Sequence, residues 1–511
     1  MAAETRPVIF KGESELDTRT LVEYAEFWKI PHNPLPTNEE ATVFTTKTRI
    51  DQGSTGPAII TPTGGKGAES LARNLGLSTR SRNVLLSLPV QESTAVSIRT
   101  DIQEFTGSQV ETILQSGEDQ ILSRIKGTRI HILSVDLVGE YTKRVYGGME
   151  ENPDWKFRLA TKLPSSYQLI PRSIRERTFR SEQGISEIRD ENLGPVEFLR
   201  TIFLASIIIS SGPTFRIRFW RRGKSFALAV THDVESAYGL TTGSRNLLRV
   251  ERSLGISSTW NLPSHRYPLD RDSAAQLDES GEIGGHDTMH DGRLVLVGRS
   301  KKVQRLKDCR NELESLTGHK IRGFRAPLLQ HSRDLTDAEV EAGYEYDSSC
   351  PSWEIRSPTS LKPHGVGTVF PFSCNGILEI PVSLPQDHQL IRVGRQQPSE
   401  AVDTLHRVSK WIQGLGGACV LLVHPDYEFA EDQNETIYRR LLESFASDPR
   451  CEIMTLGQVA DWWNHRAKAR WDTTTSSPRL LTADTDDAPD DLEMELVTGY
   501  GISGFTTERL G

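Results

Sequence analysis

Two histidines four residues apart, His286 and His290 in Gly285-His286-Asp287-Thr288-Met289-His290, are spaced to share one metal ion. On a helix such a pair falls on one face, and imidazole nitrogen is a good ligand for zinc and its neighbours. The pair follows the strand-like run Gly281-Glu282-Ile283-Gly284, so it is expected at a strand-to-helix turn. A second group, Thr231-His232-Asp233-Val234-Glu235, ends the apolar run Phe226-Ala227-Leu228-Ala229-Val230. Side chains alternate along a strand, which puts Asp233 and Glu235 on one side and Val234 on the other. Two carboxylates ending a buried strand are unfavourable unless paired, protonated or metal-bound. Desolvation and repulsion would raise one pKa, and a cation would lower it again. His424, in Val423-His424-Pro425, and Arg325, in Phe324-Arg325-Ala326-Pro327, end two more apolar runs.

Four strand ends carrying ionisable groups need a scaffold that brings them to one mouth. From about Ser225 the chain reads as strands (226–230, 257–262, 281–286, 321–327, 378–384 and 418–426) with helical segments among them at 303–316, 401–412 and 436–445. Strand–helix repetition of this kind fits a distorted (β/α) barrel. Upstream, strand-like runs at 57–61, 83–90 and 129–138 and a helical run at 67–77 describe a smaller α/β unit. Its turn Thr63-Gly64-Gly65-Lys66-Gly67 lacks the phosphate-loop spacing, because Ile60 stands where the first glycine should be. The expected division is a polar N-terminal segment (1–50), a small α/β accessory domain (51–200), the barrel (201–468) and an acidic, disordered tail (469–511). The charged, proline-punctuated segment 155–191 reads as a surface connector.

A chain of 511 residues is too long for one ordinary core. Its net charge of −9 argues against a nucleic-acid partner, which requires a basic face. The start of the chain is polar and offers no apolar leader, so a cytoplasmic location is expected. The most apolar stretch, 201–209, is far short of the ~20 residues of a transmembrane segment and reads as a buried helix or strand. Five scattered cysteines, none in a C-x-x-C pair, suggest neither a disulfide framework nor a thiolate metal site.

From about Phe226 to Trp463 the sequence resembles the polysaccharide deacetylases, carbohydrate esterase family four, in a set of short motifs in fixed order. These are Thr231-His232-Asp233-Val234-Glu235, His286-Asp287-Thr288-Met289-His290, Arg325-Ala326-Pro327, Tyr346-Asp347-Ser348-Ser349 with Trp353, and Leu422-Val423-His424. Glu379-Ile380-Pro381 and Asp461-Trp462-Trp463 also match intracellular-type members. The resemblance implies a divalent metal, zinc first, with cobalt, nickel or manganese as alternatives, on Glu235, His286 and His290. It implies Asp233 as general base held by Arg325, His424 as general acid tuned by Asp347, and the Leu328 amide as an oxyanion donor. The first motif departs from the family's adjacent aspartates: Val234 fills the usual ligand position, and Glu235 takes the ligand role in a D-x-E arrangement. Asp287 replaces the usual Ser or Thr, Leu328 replaces an aromatic residue, and Trp353 lies one residue beyond its usual spacing for the acetyl pocket.

Asp387 and His388 are expected to line the mouth, and Trp260 and Tyr427 to offer rings for a sugar. His265, His319, His331, His364 and His406 show no metal spacing and are read as surface or structural. The resulting expectation is a metal-dependent hydrolase removing an acetyl group from an N- or O-acetylated sugar or glycan precursor. Its partners would be a carbohydrate or glycoconjugate, with membrane-surface or glycosyltransferase association compatible with a soluble chain. The alternatives are a C–N hydrolase for a non-sugar amide or cyclic ureide on the same scaffold, and a metal-free carbohydrate-binding pseudoenzyme.

Overall fold

A computed structural model of the protein describes residues 6–32, 41–49, 56–162, 182–472, 479–481 and 491–510. They fall into two compact units. One takes Tyr146–Leu193 and Gly223–Trp463; the other takes Met1–Val145, Gly194–Arg222 and Asn464–Gly511.

The unit holding the motifs is a mixed α/β structure around one sheet. Its strands follow the order Ala418–Leu422, Phe226–Asp233, Thr259–Leu262, Glu282–Gly285, Gly323–Phe324, Tyr346–Asp347, Ile377–Glu379 and Phe372–Cys374. The pairings are parallel apart from the last, and Cys451–Ile453 also pairs with Phe226–Asp233. Every residue of Phe226–Asp233 is buried, as a parallel strand covered on both faces requires. The sheet curls until its ends approach: Leu384 N–H donates to Val420 O at 3.1 Å, and the Ser383 hydroxyl donates to Ala418 O at 2.5 Å. The barrel expectation is thus met as a curled sheet drawn together by single hydrogen bonds rather than by a continuous ladder.

Helices cover this sheet for reasons visible in their sequences. Pro398–Leu415 starts on a proline, buries Ala401, Leu405, Val408, Ile412 and Leu415 at helical spacing, and stops at Gly416, whose φ is 75°. In Arg333–Ala342 the Ser332 side chain accepts the Leu335 N–H as an N-cap, and Gly343 ends the helix at φ 89°. The 155–191 segment begins as a helix, Trp155–Lys162, and Ile188 is buried at its far end; 163–181 lie outside the described residues.

In the other unit the sheet runs Val8–Lys11, Thr42–Thr45, Ala58–Ile60, Ile130–Leu133, Asp119–Ile125, Val110–Ser116. The first fifty residues therefore contain regular structure, including the helix Glu15–Trp28, whose Ser14 cap and buried Leu21, Tyr24 and Trp28 are masked in sequence by charged neighbours. The 129–138 run splits into the strand Ile130–Leu133 and a helix capped by Asp136. That carboxylate also accepts the Gly64 N–H at 2.8 Å, so the glycine turn faces an acid of its own chain. The apolar 201–209 stretch lies in the helix Pro195–Ser211, buried from Pro195 through Ile208. Phe203 on it stacks with Tyr24 at 5.1 Å.

The chain's last part departs from the tail expectation. Met494–Gly501 and Gly504–Leu510 form a three-stranded antiparallel sheet with Thr214–Ile217. Two of the acidic residues here are neutralised in place: Glu495 pairs with Arg216 at 2.6 Å and Glu493 with Arg218 at 2.7 Å, while Leu492 and Val497 are buried. Residues 473–478 and 482–490 lie outside the described residues. No described helix is long and apolar enough to cross a membrane, and all five cysteines are free and buried.

Candidate active site

The C-terminal ends of the parallel strands bring the ionisable groups together. Asp233 closes its strand, Val234 turns into the core, and Glu235 returns to the cleft that Asp233 lines. Tyr267 O–H donates to Val234 O at 2.8 Å, pinning the turn.

His286 and His290 do meet, but not on a helix. No helix forms over 286–291; instead Asp287 and His290 adopt positive φ (63° and 50°), folding the segment tightly enough to bring the two rings to 4.9 Å. Left-handed backbone is unfavourable for non-glycine residues and needs support. Here Ser264 N–H and His265 N–H donate to Asp287 O and Thr288 O, at 3.1 and 2.8 Å. The buried Asp287 carboxylate is held by Arg305, whose Nε donates to it at 2.9 Å. The acid at the usual Ser or Thr position is thus a loop anchor.

One ligand atom each from Glu235, His286 and His290 lies within 4.8 Å of the others. His290 Nε2 is 3.0 Å from Glu235 Oε1. His286 Nδ1 is 2.7 Å from Arg325 O; a carbonyl only accepts, so Nδ1 carries the proton and Nε2 keeps its lone pair. His286 Nε2 is buried without a hydrogen-bond partner, 3.9 Å from Asp233 Oδ2, whereas His290 Nε2 has only the Glu235 carboxylate beside it. An orphaned atom of this kind is unfavourable by about 1–3 kcal/mol, and two imidazole nitrogens gathered with the Glu235 carboxylate fit a cation. Burial, partly opposed by Asp233, lowers the His286 pKa to about 4, which keeps the ring in the neutral form a metal ligand needs. Burial disfavours the Glu235 charge, but His290 and His424 outweigh it and hold its pKa well below the usual range.

Asp233 is fixed by Asn261 Nδ2 at 2.9 Å and by Arg325 at 3.4 Å. Burial opposes its charge, yet His286, Arg325 and His424 together lower its pKa. Arg325 has no exposure at all; its other contacts are Thr231 Oγ1 at 2.8 Å, Ser348 O at 2.7 Å and Ser348 Oγ at 2.7 Å. Removing one partner of such a buried pair is unfavourable by about 3–5 kcal/mol.

Two expected roles change hands. Asp347 does not sit beside His424: it accepts from the Ser349 hydroxyl at 2.5 Å, and Ser349 Oγ in turn accepts the Ala326 N–H at 2.8 Å. With Ser348 on the guanidinium, this motif braces the Arg325 loop. The partner of His424 is Asp387, expected only at the mouth. Its Oδ1 is 2.7 Å from His424 Nδ1, and its Oδ2 accepts the His424 N–H at 2.8 Å. Against burial, which lowers it, Asp387 raises the His424 pKa to about 9.

The cleft is about 90 Å³, lined by Asp233, Glu235, His290, His424, Tyr427, Leu328, Leu329 and Pro358 among others. Leu328 and Leu329 both have positive φ, 61° and 48°, a second strained turn at the same site. Tyr427 O–H reaches Glu235 Oε2 at 3.4 Å. Trp353 does not line this cleft, and its apolar wall is Leu328, Leu329 and Pro358. Trp260 is fully buried and stacked on His232 at 3.9 Å, so it is core rather than a sugar platform. Missed in the sequence were Asn261, a polar residue ending a strand, and Arg266, which lines the cleft and donates to His290 O at 3.0 Å.

No family model matches the chain. A peptidoglycan deacetylase-like protein of Gibberella zeae is 32% identical over 112 residues, 21% of this chain and 32% of that protein. The chain thus spans about a third of the length of the curated relative it matches. Among solved structures, a Mycobacterium smegmatis protein assigned to the polysaccharide deacetylases aligns with TM-score 0.41 and 20% identity, over 48% of this chain and 92% of that one. The allantoinase PuuE aligns with TM-score 0.38 and 14% identity, over 48% and 93%. In its ordered motifs, and in the residues shared with a peptidoglycan deacetylase-like protein, the chain is similar to the polysaccharide deacetylases.

Proposed function

We propose that this unit is a metal-dependent hydrolase that removes an acetyl group from an N- or O-acetylated sugar or glycan precursor. The observation that carries the reading is the meeting, in and beside one cleft, of three side chains placed to hold a metal, an ionised aspartate and a histidine–aspartate pair. A divalent ion on Glu235, His286 and His290, zinc by preference, would polarise the acetyl carbonyl and acidify a water.

The remaining steps belong to the chain's own groups. Asp233, kept ionised by Arg325 and oriented by Asn261, takes the proton from the attacking water. The Leu328 amide donates to the oxygen that gains charge at the acetyl carbon. His424, protonated through Asp387, gives its proton to the departing amine or alcohol as the acetyl bond breaks and acetate leaves. A 90 Å³ cleft has room for about three waters; that suits an acetyl group, with the sugar ring outside it.

The test is metal content by plasma mass spectrometry on wild type, Glu235→Ala and His286→Ala, followed by an acetate-release screen on N-acetylhexosamine oligosaccharides. Loss of metal in both variants with acetate released only by wild type is the expected result. Ammonia or a ring-opened ureide as product would replace the acetyl substrate with a C–N substrate. A wild type that binds no added zinc or cobalt would leave only a carbohydrate-binding role.

A further inference from the structure

Three side chains that carry no metal spacing in the sequence gather behind the cleft wall. Glu151, His331 and His364 each place one ligand atom within 4.8 Å of the other two, the second such group among the described residues. The two imidazoles stack nearly parallel, 5.2 Å apart at 8°.

Their hydrogen bonds leave two of the inward atoms, Glu151 Oε2 and His364 Nδ1, without partners. His364 Nε2 is 3.0 Å from Glu354 Oε2, and its buried Nδ1, 3.8 Å from Glu151 Oε1, has no hydrogen-bond partner; the two carboxylates favour a positive charge there, be it a proton or a metal ion. Glu151 Oε1 accepts from the Ser357 hydroxyl and from Ser360 N–H, the latter at 3.3 Å, whereas Oε2 is buried with no partner. His331 Nδ1 donates to Leu329 O at 2.8 Å, and its Nε2 then faces Gly148 O at 3.1 Å. In a neutral ring these are two lone pairs facing each other, which a cation bound to both, to one side of the line joining them, resolves. Gly148 packs closely on its neighbour, since a Cβ there would lie 2.6 Å from Gly365 O.

We propose that Glu151, His331 and His364 bind a second divalent transition-metal ion, with Gly148 O as the fourth donor. Two imidazoles and a carboxylate are a donor set for zinc or its neighbours, not for calcium or magnesium. Glu354 behind His364 supplies the carboxylate–histidine support such ligands usually have. The ion's role is structural: His331 holds Leu329, and Glu151 holds the serine and backbone on either side of Pro358, so one ion ties together both apolar walls of the cleft. The proposal does not depend on the hydrolase reading.

Full-length protein dialysed against zinc, then counted for metal, tests it with His286→Ala, His364→Ala, Glu151→Gln and the double variant His286→Ala/His364→Ala. The expected counts are two ions per chain in wild type, one in each single variant and none in the double variant. Glu151→Gln retains an oxygen for Ser357 and Ser360, so it reports on the site if His364→Ala fails to fold. A single ion in wild type that disappears in His286→Ala overturns the second site: a proton, not a metal, then lies between His331 and Gly148. A single ion that survives His286→Ala but leaves with His364→Ala upholds this site and removes the catalytic one.

Discussion

Asp387 holds His424 at two points, ring and backbone amide, and is itself only 1% exposed. A buried acid of this kind sets both the orientation of the imidazole and its affinity for a proton. Asparagine at 387 removes the charge and can no longer accept both N–H groups with oxygen. Asp387→Asn is therefore expected to lower kcat by about 10²-fold, within the range general acid catalysis supplies, while leaving zinc content at the wild-type value. Turnover within threefold of wild type, with the metal in place, would rule out His424 as the proton donor. Asp233, Glu235, His286, Arg325 and His424 are legible because each stands at or just past the end of an apolar run, and His290 by its spacing from His286. The Asp387–His424 partnership is not, because the two lie 37 residues apart and meet only through the folded sheet. The resemblance alone assigns that partnership to Asp347, whose place under Ser349 and Ala326 is set by contacts that the fold brings together.

At the level of elements, the two glycines that end Glu282–Gly285 decide what can stand beside them. A Cβ on Gly284 would come within 2.4 Å of Asn261 Oδ1, the side chain that orients Asp233. Gly284→Ala is expected to push Asn261 off the carboxylate and to reduce kcat/KM at least 10-fold. Its overpacking should destabilise the unit by about 1–3 kcal/mol. Asn261→Ala should mimic the kinetic loss at a smaller structural cost. Activity in Gly284→Ala equal to wild type would show that Asn261 is a bystander. The strands were legible as short apolar runs bounded by turn formers, and most lie where the pattern placed them. The histidine pair is expected at a strand-to-helix turn, and no helix follows it directly, because i, i+4 spacing is silent about backbone sign. The positive φ of Asp287 and His290 depends on the long-range supports of Ser264, His265 and Arg305. The acidic C-terminal strands were hidden for a similar reason, since composition does not reveal that Arg216 and Arg218 await Glu495 and Glu493.

Across the whole molecule, the pH dependence of stability should carry the mark of three buried carboxyl groups on three elements. Glu339 on the helix Arg333–Ala342, Asp347 on Tyr346–Asp347 and Glu379 on Ile377–Glu379 are all buried, and neither oxygen of Glu339 has a hydrogen-bond partner. Burial raises the pKa of each; the Asp347 charge adds to this for Glu339 and Glu379, whereas for Asp347 hydrogen bonds from Glu379 and Ser349 oppose it. A carboxyl whose folded pKa is raised binds its proton more tightly in the folded state than in the unfolded chain. Its contribution is therefore fully present below the unfolded pKa, near 4. It is lost as pH rises towards the folded pKa, at up to about 1.4 kcal/mol per pH unit for each group. This trend is opposite in sign to that of the ion-paired acids, such as Glu493 and Glu495. Urea midpoints at pH 5, 7 and 9 should fall for wild type as pH rises. Glutamine has nearly the shape of the protonated acid and cannot ionise, so Glu339→Gln should match wild type at pH 5 and exceed it at pH 9. A constant offset between the two proteins at all three pH values would mean that Glu339 enters the folded unit already ionised, with a partner that burial and geometry do not reveal.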